Sequence, residues 1–211
     1  MNISAVIFDL DGLLSDTEIL HMRAYREALK NQNVDLSDAD YISHWIKNGS
    51  GIQEYDKMKN LNLDIPAIRK DKAEWFESLL NTDLKPMPYA REILAALHKK
   101  KRMAVASSSY RHNVEAILEK LALRDYFEVV VSGSDVEKTK PSPDIFILTA
   151  EKLSVKAEHC IVIEDAEKGI KAAAAAGMKS IAVPDKHTMD NDFSAADFVV
   201  ESLVEVEKLL L

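Results

Sequence analysis

Four places in the sequence put reactive side chains at the ends of apolar runs. Phe8-Asp9-Leu10-Asp11-Gly12 carries two aspartates two residues apart, Glu164-Asp165 closes a second run, Ser107-Ser108-Ser109 follows a third, and Lys140-Pro141 lies in the loop after a fourth. Asp9, Asp11, Glu164 and Asp165 gathered in one crevice would repel one another and raise one another's pKa unless a cation sat among them. Hard carboxylate oxygens with room for water suit Mg2+, which binds through one or two carboxylates together with substrate phosphate. Lys140 adds a fixed positive charge, and Ser107 adds a hydroxyl beside the N–H groups that open the following helix, itself an anion site. These parts match a dianionic phosphoryl group held between metal, lysine and helix terminus. An aspartate at a strand end can attack phosphorus and form an aspartyl-phosphate. A second aspartate two residues on can protonate the leaving oxygen and later activate water.

The elements that must position these groups follow from hydrophobic patterning. Short apolar, β-branched runs predict strands at residues 3–8, 103–106, 127–131, 160–163, 180–183 and 198–200. Helical patterns lie between them, from Tyr89 to Lys101, Arg111 to Leu121, Asp144 to Leu153 and Ala166 to Ala176. Non-alternating strands that alternate with helices indicate an α/β fold, a doubly wound parallel sheet with helices on both faces. In such a sheet ligands bind beyond the carboxyl ends of the strands, where the four groups fall.

Residues 16–82 break that rhythm. Apolar positions recur there at helical spacing with no convincing strand, Ser37-Asp38-Ala39-Asp40 resembles a capping box, and Asn48-Gly49-Ser50-Gly51 forms a glycine-rich loop. Lys85-Pro86-Met87-Pro88 marks a stiff return to the α/β pattern. The reading is an α/β core of residues 1–15 plus 83–211 with an inserted all-α cap domain at 16–82. Trp45 and Trp75 fall on apolar helical faces and are expected in the cap core.

Composition sets the outer bounds. The chain has 211 residues, 47% hydrophobic and 29% charged, which suits a soluble globular chain with a full-sized core. A net charge of −8 argues against a broad nucleic-acid or anionic-membrane surface. Lys99-Lys100-Lys101-Arg102 is read as a basic run complementing the C-terminus of a predicted helix. One cysteine, Cys160 in an apolar stretch, excludes an internal disulfide and is expected as a buried hydrophobe. No apolar run reaches the roughly 18 residues of a membrane span, and Met1-Asn2-Ile3-Ser4 does not open like a signal peptide. The expectation is a cytoplasmic protein, a monomer or weak dimer, whose partner is a small phosphorylated metabolite and neither nucleic acid nor membrane. Only 6 glycines occur, where roughly 7% usage would give about 15, so the place of each is worth locating.

Phe8-Asp9-Leu10-Asp11-Gly12, Ser107, Lys140-Pro141 and Glu164-Asp165 resemble the four ordered motifs of the haloacid dehalogenase superfamily. The resemblance runs essentially end to end, and the insertion resembles the helical cap of that superfamily. Asp9 to Glu18, with His21 after it, and Lys140-Pro141-Ser142-Pro143-Asp144-Ile145-Phe146 are similar to its β-phosphoglucomutase-like branch. The resemblance implies Asp9 as nucleophile and metal ligand. It implies Asp11 as general acid/base, with its backbone carbonyl toward the metal and Gly12 beside it at the substrate. Asp165 would bind Mg2+ directly and Glu164 through water. Ser107, the Ser108 backbone and Lys140 would hold the phosphoryl oxygens. His21 would relay between substrate and Asp11, and the cap loop from Asn48 to Gly51, with Gly49 and Ser50, would supply specificity as the cap closes.

Plainer readings stand beside these. Asp-x-Asp-Gly alone can be a turn, Lys140 a solvated lysine, and His21 a packing histidine. Ser107 to Ser109 can cap the helix before Arg111, and Ser109 is read as that cap. Ser142-Pro143 reads as an N-cap with proline at the first helical position. One departure bears on activity. A phosphomutase carries a cap-loop arginine for a second phosphate, whereas Lys47-Asn48-Gly49-Ser50-Gly51-Ile52-Gln53 has none, although Lys47 or Lys70 could partly substitute. A monophosphate hydrolase is therefore favoured over a sugar phosphomutase. A non-enzymatic phospho-switch is the third reading, set back because receiver domains are shorter, lack a cap and place the phosphorylated aspartate after the acidic pair.

Overall fold

A computed structural model describes residues 3–47 and 49–211, with the backbone alone of Lys47; the roles expected of Asn48 and of the Lys47 charge fall outside the described residues. The strands are β1 (Ala5–Phe8), β2 (Arg102–Ser107), β3 (Val129–Ser132), β4 (Cys160–Glu164), β5 (Lys179–Ala182) and β6 (Phe198–Val199). They form one parallel sheet in the order β3-β2-β1-β4-β5-β6. The doubly wound α/β architecture is thus as the alternation indicates. Ala5, Ile7, Ala104, Ala106, Cys160 and Val162 share one face and a core with Ile145, Phe146 and Ala172. Their alternates Val6, Phe8, Val105, Ile161 and Ile163 are equally buried on the other face. Burial on both faces is why these strands read as unbroken apolar runs. Each such Val, Ile or Phe contributes about 1.5–3 kcal/mol of transfer free energy.

The chain folds as two compact units, one made of the chain to Ser15 together with Lys85–Leu211, the other of Asp16–Leu84. The second unit holds α1 (Glu18–Lys30), α2 (Asp38–Tyr41) running into a π-helical turn at Ile42–Lys47, α3 (Ile52–Lys59) and α4 (Ile65–Thr82). Ser37 Oγ accepts from the Asp40 N–H at 3.1 Å, so the capping sequence does start α2. Met22, Ala28, Leu29, Tyr41, Tyr55 and Ile68 form much of this unit's core, with Trp45 packed against it. Trp75, expected in that core, is instead 43% exposed. Ile68, Phe76, Leu79 and Leu80 are the buried residues of α4.

The first unit adds α5 (Ala90–Leu97), α6 (Arg111–Lys120), α7 (Asp144–Leu153), α8 (Glu167–Ala175) and α9 (Leu203–Leu210). The basic run does not close a helix. α5 stops at Leu97, Lys99 turns through φ 64°, and Arg102 already pairs with Ala5 in the sheet. The pairing requires an extended backbone at Arg102, which ends the helix early. There the Arg102 guanidinium binds the Glu128 carboxylate at 2.6 Å and Lys101 Nζ donates to Ile3 O at 2.8 Å. Pro143 sits at the cap position of α7 instead of its first residue, and Ser142 Oγ donates to Asp144 Oδ1 at 2.8 Å. Cys160 is fully buried, and burial pushes its thiol up to about 11. Among the described residues no helix is long and apolar enough to cross a membrane.

Candidate active site

The strand order switches direction at β1 and β4, which are neighbours, and an open α/β sheet parts its loops at such a point. Phe8 and Ile163 are register partners, so the next residues, Asp9 just past β1 and Glu164 at the end of β4, stand side by side. The Asp9 N–H extends the ladder one step, donating to Ile163 O at 3.0 Å. After Asp9 the chain winds a tight turn. Leu14 and Ser15 N–H groups both donate to Leu10 O at 3.0 Å, and the Gly12 N–H donates to Ser15 O at 2.9 Å. Leu10, Leu13 and Leu14 anchor this turn in the core.

Ligand oxygens of Asp9, Glu164 and Asp165, all buried, lie within 4.8 Å of one another. Lys140, its side chain 1% exposed, donates from Nζ to Asp9 Oδ1, to Glu164 Oε1 at 2.6 Å and to Ala106 O at 2.8 Å. Glu164 Oε2 accepts from the Asp165 and Ala166 N–H groups, both at 3.1 Å. Burial lifts the Asp9 carboxyl from 3.8 to about 7; Lys140 opposes this, while Glu164 and Asp11 add to it. Burial also lifts Asp165 well above the carboxylate range, helped by Glu164, Asp9 and Asp185. For Lys140 burial works against the charge, yet Asp9 and Glu164 hold the ammonium above the usual lysine range. Three carboxylates against one ammonium leave an excess of two negative charges when all are ionised. That excess adds to burial in raising the two aspartates. A hard divalent cation with oxygen ligands fits the donor set and would cancel it.

Two glycines are explained by this cluster. Gly12 has φ +85°, and a Cβ on it would stand 2.5 Å from Asp165 Oδ2. A Cβ on Gly169 would stand 1.8 Å from Glu164 Oε1, so α8 can pass the carboxylate only with a bare backbone there.

Asp11 is outside the three-carboxylate group. Its Oδ2 accepts from Ser107 Oγ at 2.9 Å and from Ser109 Oγ at 2.8 Å. Ser107 is fully buried at the end of β2, and its Oγ also accepts from the Ser109 N–H at 3.1 Å. Ser109 is therefore not the helix cap read from sequence. Tyr110 takes the cap position of α6 with no side-chain bond, because Ser109 is turned to Asp11. Ser108 Oγ is buried without a hydrogen-bond partner among the described residues.

The remaining sequence candidates belong to the helical unit. His21 stacks on Phe76 with ring centroids 4.0 Å apart, and Lys72 Nζ lies 2.9 Å from its Nδ1. Gly49 has φ +61°, and the Ser50 N–H donates to His44 O at 3.1 Å, which ties the loop to the π-helical turn. Gly51 precedes α3, and its N–H donates to the Glu54 carboxylate at 3.1 Å.

Sequence reasoning missed Ser109, Gly169, Asp185 and Lys72. Gly169 needed only the remark that a helical glycine five residues past an acidic strand end leaves room for that acid's side chain. Asp185 would have come from extending the strand-end rule to β5. No signal in the sequence pointed to Lys72.

The chain is similar to known proteins. The sequence profile of the haloacid dehalogenase-like hydrolases matches residues 6–183. The fructose-1-phosphate phosphatase YqaB of Escherichia coli is 35% identical over 184 residues, spanning 85% of this chain and 96% of that protein. A phosphorylated carbohydrates phosphatase of Thermotoga maritima is 31% identical over 216 residues, spanning 98% and 96%. The crystal structure of CbbY from Rhodobacter sphaeroides in complex with phosphate is 30% identical, with a TM-score of 0.84 over 97% of this chain and 96% of that one.

Proposed function

The chain belongs to the haloacid dehalogenase-like hydrolases, as a phosphoric monoester hydrolase, and on that premise we propose that it is a Mg2+-dependent phosphatase of small sugar phosphates working through an aspartyl-phosphate on Asp9. The observation that carries this reading is the uncompensated charge of Asp9, Glu164 and Asp165 beside a buried lysine and a cradle of serine hydroxyls. Those three carboxylates would hold Mg2+, which supplies positive charge that lowers the repulsion between Asp9 and the phosphoryl dianion.

Asp9 Oδ attacks phosphorus, the P–O bond to the sugar breaks, and Asp11 gives its proton to the departing oxygen. Asp11 then takes a proton from water, which attacks the phosphorus of the aspartyl-phosphate and releases inorganic phosphate and free Asp9. Ser107 and Ser109, which donate to Asp11 in the structure, turn their hydroxyls to the phosphoryl oxygens, leaving Asp11 to exchange its proton with the ester oxygen. Lys140 neutralises charge on Asp9 and Glu164 and screens the approach of the anion. Gly49 and Ser50 are assigned to substrate selection, and His21 to a relay between substrate and Asp11. The absence of arginine from residues 47–53 leaves no dedicated grip for a second phosphate and favours hydrolysis over phosphoryl return to the sugar.

A phosphate-release screen over fructose 1-phosphate, other hexose and pentose phosphates, phosphoglycolate and nucleotides tests the proposal. It expects Mg2+-dependent release from sugar phosphates. A hexose 1-phosphate converted to its 6-phosphate without free phosphate would replace it with the mutase reading.

A further inference from the structure

The serine cradle and Lys140 arrive from different strands. Ser107 to Ser109 leave β2, while Lys140 ends the segment that leaves β3, and the separation of the two sets the width of any anion seat between them. Contacts away from Asp9 and Asp11 join the two segments. The Gly133 N–H donates to Ser109 O at 2.9 Å, and a Cβ on Gly133 would stand 2.3 Å from Ser108 O, so the backbones touch there. Ser134 Oγ accepts from the Arg111 N–H at 3.1 Å at the start of α6. The Arg111 guanidinium binds the Asp135 carboxylate and reaches Glu115 Oε1 and Val130 O, each at 3.1 Å. Asp135 folds back on the end of β3, where Oδ2 accepts from the Ser132 N–H at 2.7 Å and Ser132 Oγ at 2.8 Å. Ser132 is the register partner of Ser107. Burial works to raise the Asp135 carboxyl, but Ser132 and Arg111 bring it below the usual range, so the clasp is charged at neutral pH.

We infer that Asp135 and Arg111 are positioning residues of the phosphoryl seat, a clasp that holds the Ser107–Ser109 loop at a fixed distance from the segment delivering Lys140. This rests on the phosphatase reading of that seat. The Arg111 and Asp135 side chains are partly exposed, at 34% and 24%, so the pair is a modest contributor to stability. Its leverage is geometric, because a shift near 1 Å in a positioning group can cost on the order of a hundredfold in rate. Phosphoryl oxygens gripped by Ser107 and Ser109 would lose their hold as the loop drifts.

Asp135→Asn, Arg111→Gln, their double variant and Arg111→Lys separate this role from a merely structural one. The readouts are kcat, KM, inhibition by inorganic phosphate and orthovanadate, and melting temperature. The single variants are expected to raise the inhibition constants about tenfold and lower kcat/KM by about ten- to a hundredfold, with folding retained. The double variant should be no worse than the poorer single one, since both break the same clasp, and Arg111→Lys should recover part of the loss. Unchanged inhibition constants with a loss confined to melting temperature would overturn the clasp, as would additive effects. Should the wild type release phosphate from no ester, the phosphatase reading falls. Calorimetric binding of phosphate and orthovanadate to the same variants would still decide the clasp, and a wild type that binds neither would refute both.

Discussion

Mg2+ affinity and pH are tied together through the Asp9 carboxyl. Burial holds its proton up to about 7, with Lys140 opposing and Glu164 and Asp11 adding. A divalent cation settling among Asp9, Glu164 and Asp165 has to displace that proton, so below about pH 7 its apparent affinity falls by about tenfold per pH unit. Asp165, also raised, steepens the fall toward a hundredfold where both protons are displaced. The same carboxyl works against the metal-free fold. An acid with a higher pKa folded than unfolded keeps its proton longer in the native state, so its contribution is lost as pH rises from about 4 to about 7. At about 1.4 kcal/mol per pH unit, the span from 3.8 to about 7 comes to about 4 kcal/mol. Asp40 and Asp135, held below the usual range, act in the opposite sense, so the comparison is with Asp9→Asn, which lacks this loss. Calorimetry in two buffers of different ionisation enthalpy counts the protons released on Mg2+ binding, and melting curves with Mg2+ or EDTA follow stability. Near pH 6 binding should release about one proton or more, near pH 8 fewer, and Mg2+ should raise the melting temperature more at the higher pH. Mg2+ binding without proton release near pH 6, or an equal rise at both pH values, would refute the reasoning.

Gly169→Ala improves helix propensity by about 1 kcal/mol, yet its Cβ would stand 1.8 Å from Glu164 Oε1. The net effect should be a lower melting temperature and Mg2+ binding weakened by about tenfold or more, read by the same calorimetry. Asp11→Asn should lower kcat by about 10²–10⁴-fold with Mg2+ binding retained, and a loss below about tenfold would remove it from the acid/base role. Ser109→Ala deletes one of the two hydroxyls on Asp11 and should cost about tenfold in kcat/KM, the worth of one such bond.

The acidic pairs were legible because parallel strands begin and stop abruptly, so a carboxylate at the end of an apolar run is already at the sheet edge. The helix expected from Asp144 to Leu153 has those same bounds. Where several residues offered the same chemistry, sequence could not choose among them. Ser107, Ser108 and Ser109 all carry hydroxyls, and only the turn after β2 decides that Ser109 faces Asp11 while Ser108 Oγ stays buried and unbonded among the described residues. Long-range constraints were equally hidden. The helix expected to run to Lys101 stops at Leu97 because Arg102 must pair with Ala5, nearly a hundred residues earlier. Neither the Arg111–Asp135 clasp nor the Lys72 contact with His21 has a local pattern to reveal it. Trp75 lies four residues before Leu79 and seven after Ile68, on a stripe that reads as core, and yet it is 43% exposed.

Covalent capture of phosphate by Asp9 is the step on which the proposed chemistry depends. The most direct test quenches the enzyme during turnover of a sugar phosphate and reduces it with borohydride, which converts an aspartyl-phosphate to homoserine, before peptide mass spectrometry. Homoserine at position 9, dependent on substrate and Mg2+ and at no other aspartate, is the expected result. Unmodified Asp9 throughout steady turnover, or an Asp9→Asn variant that still releases phosphate, would contradict it.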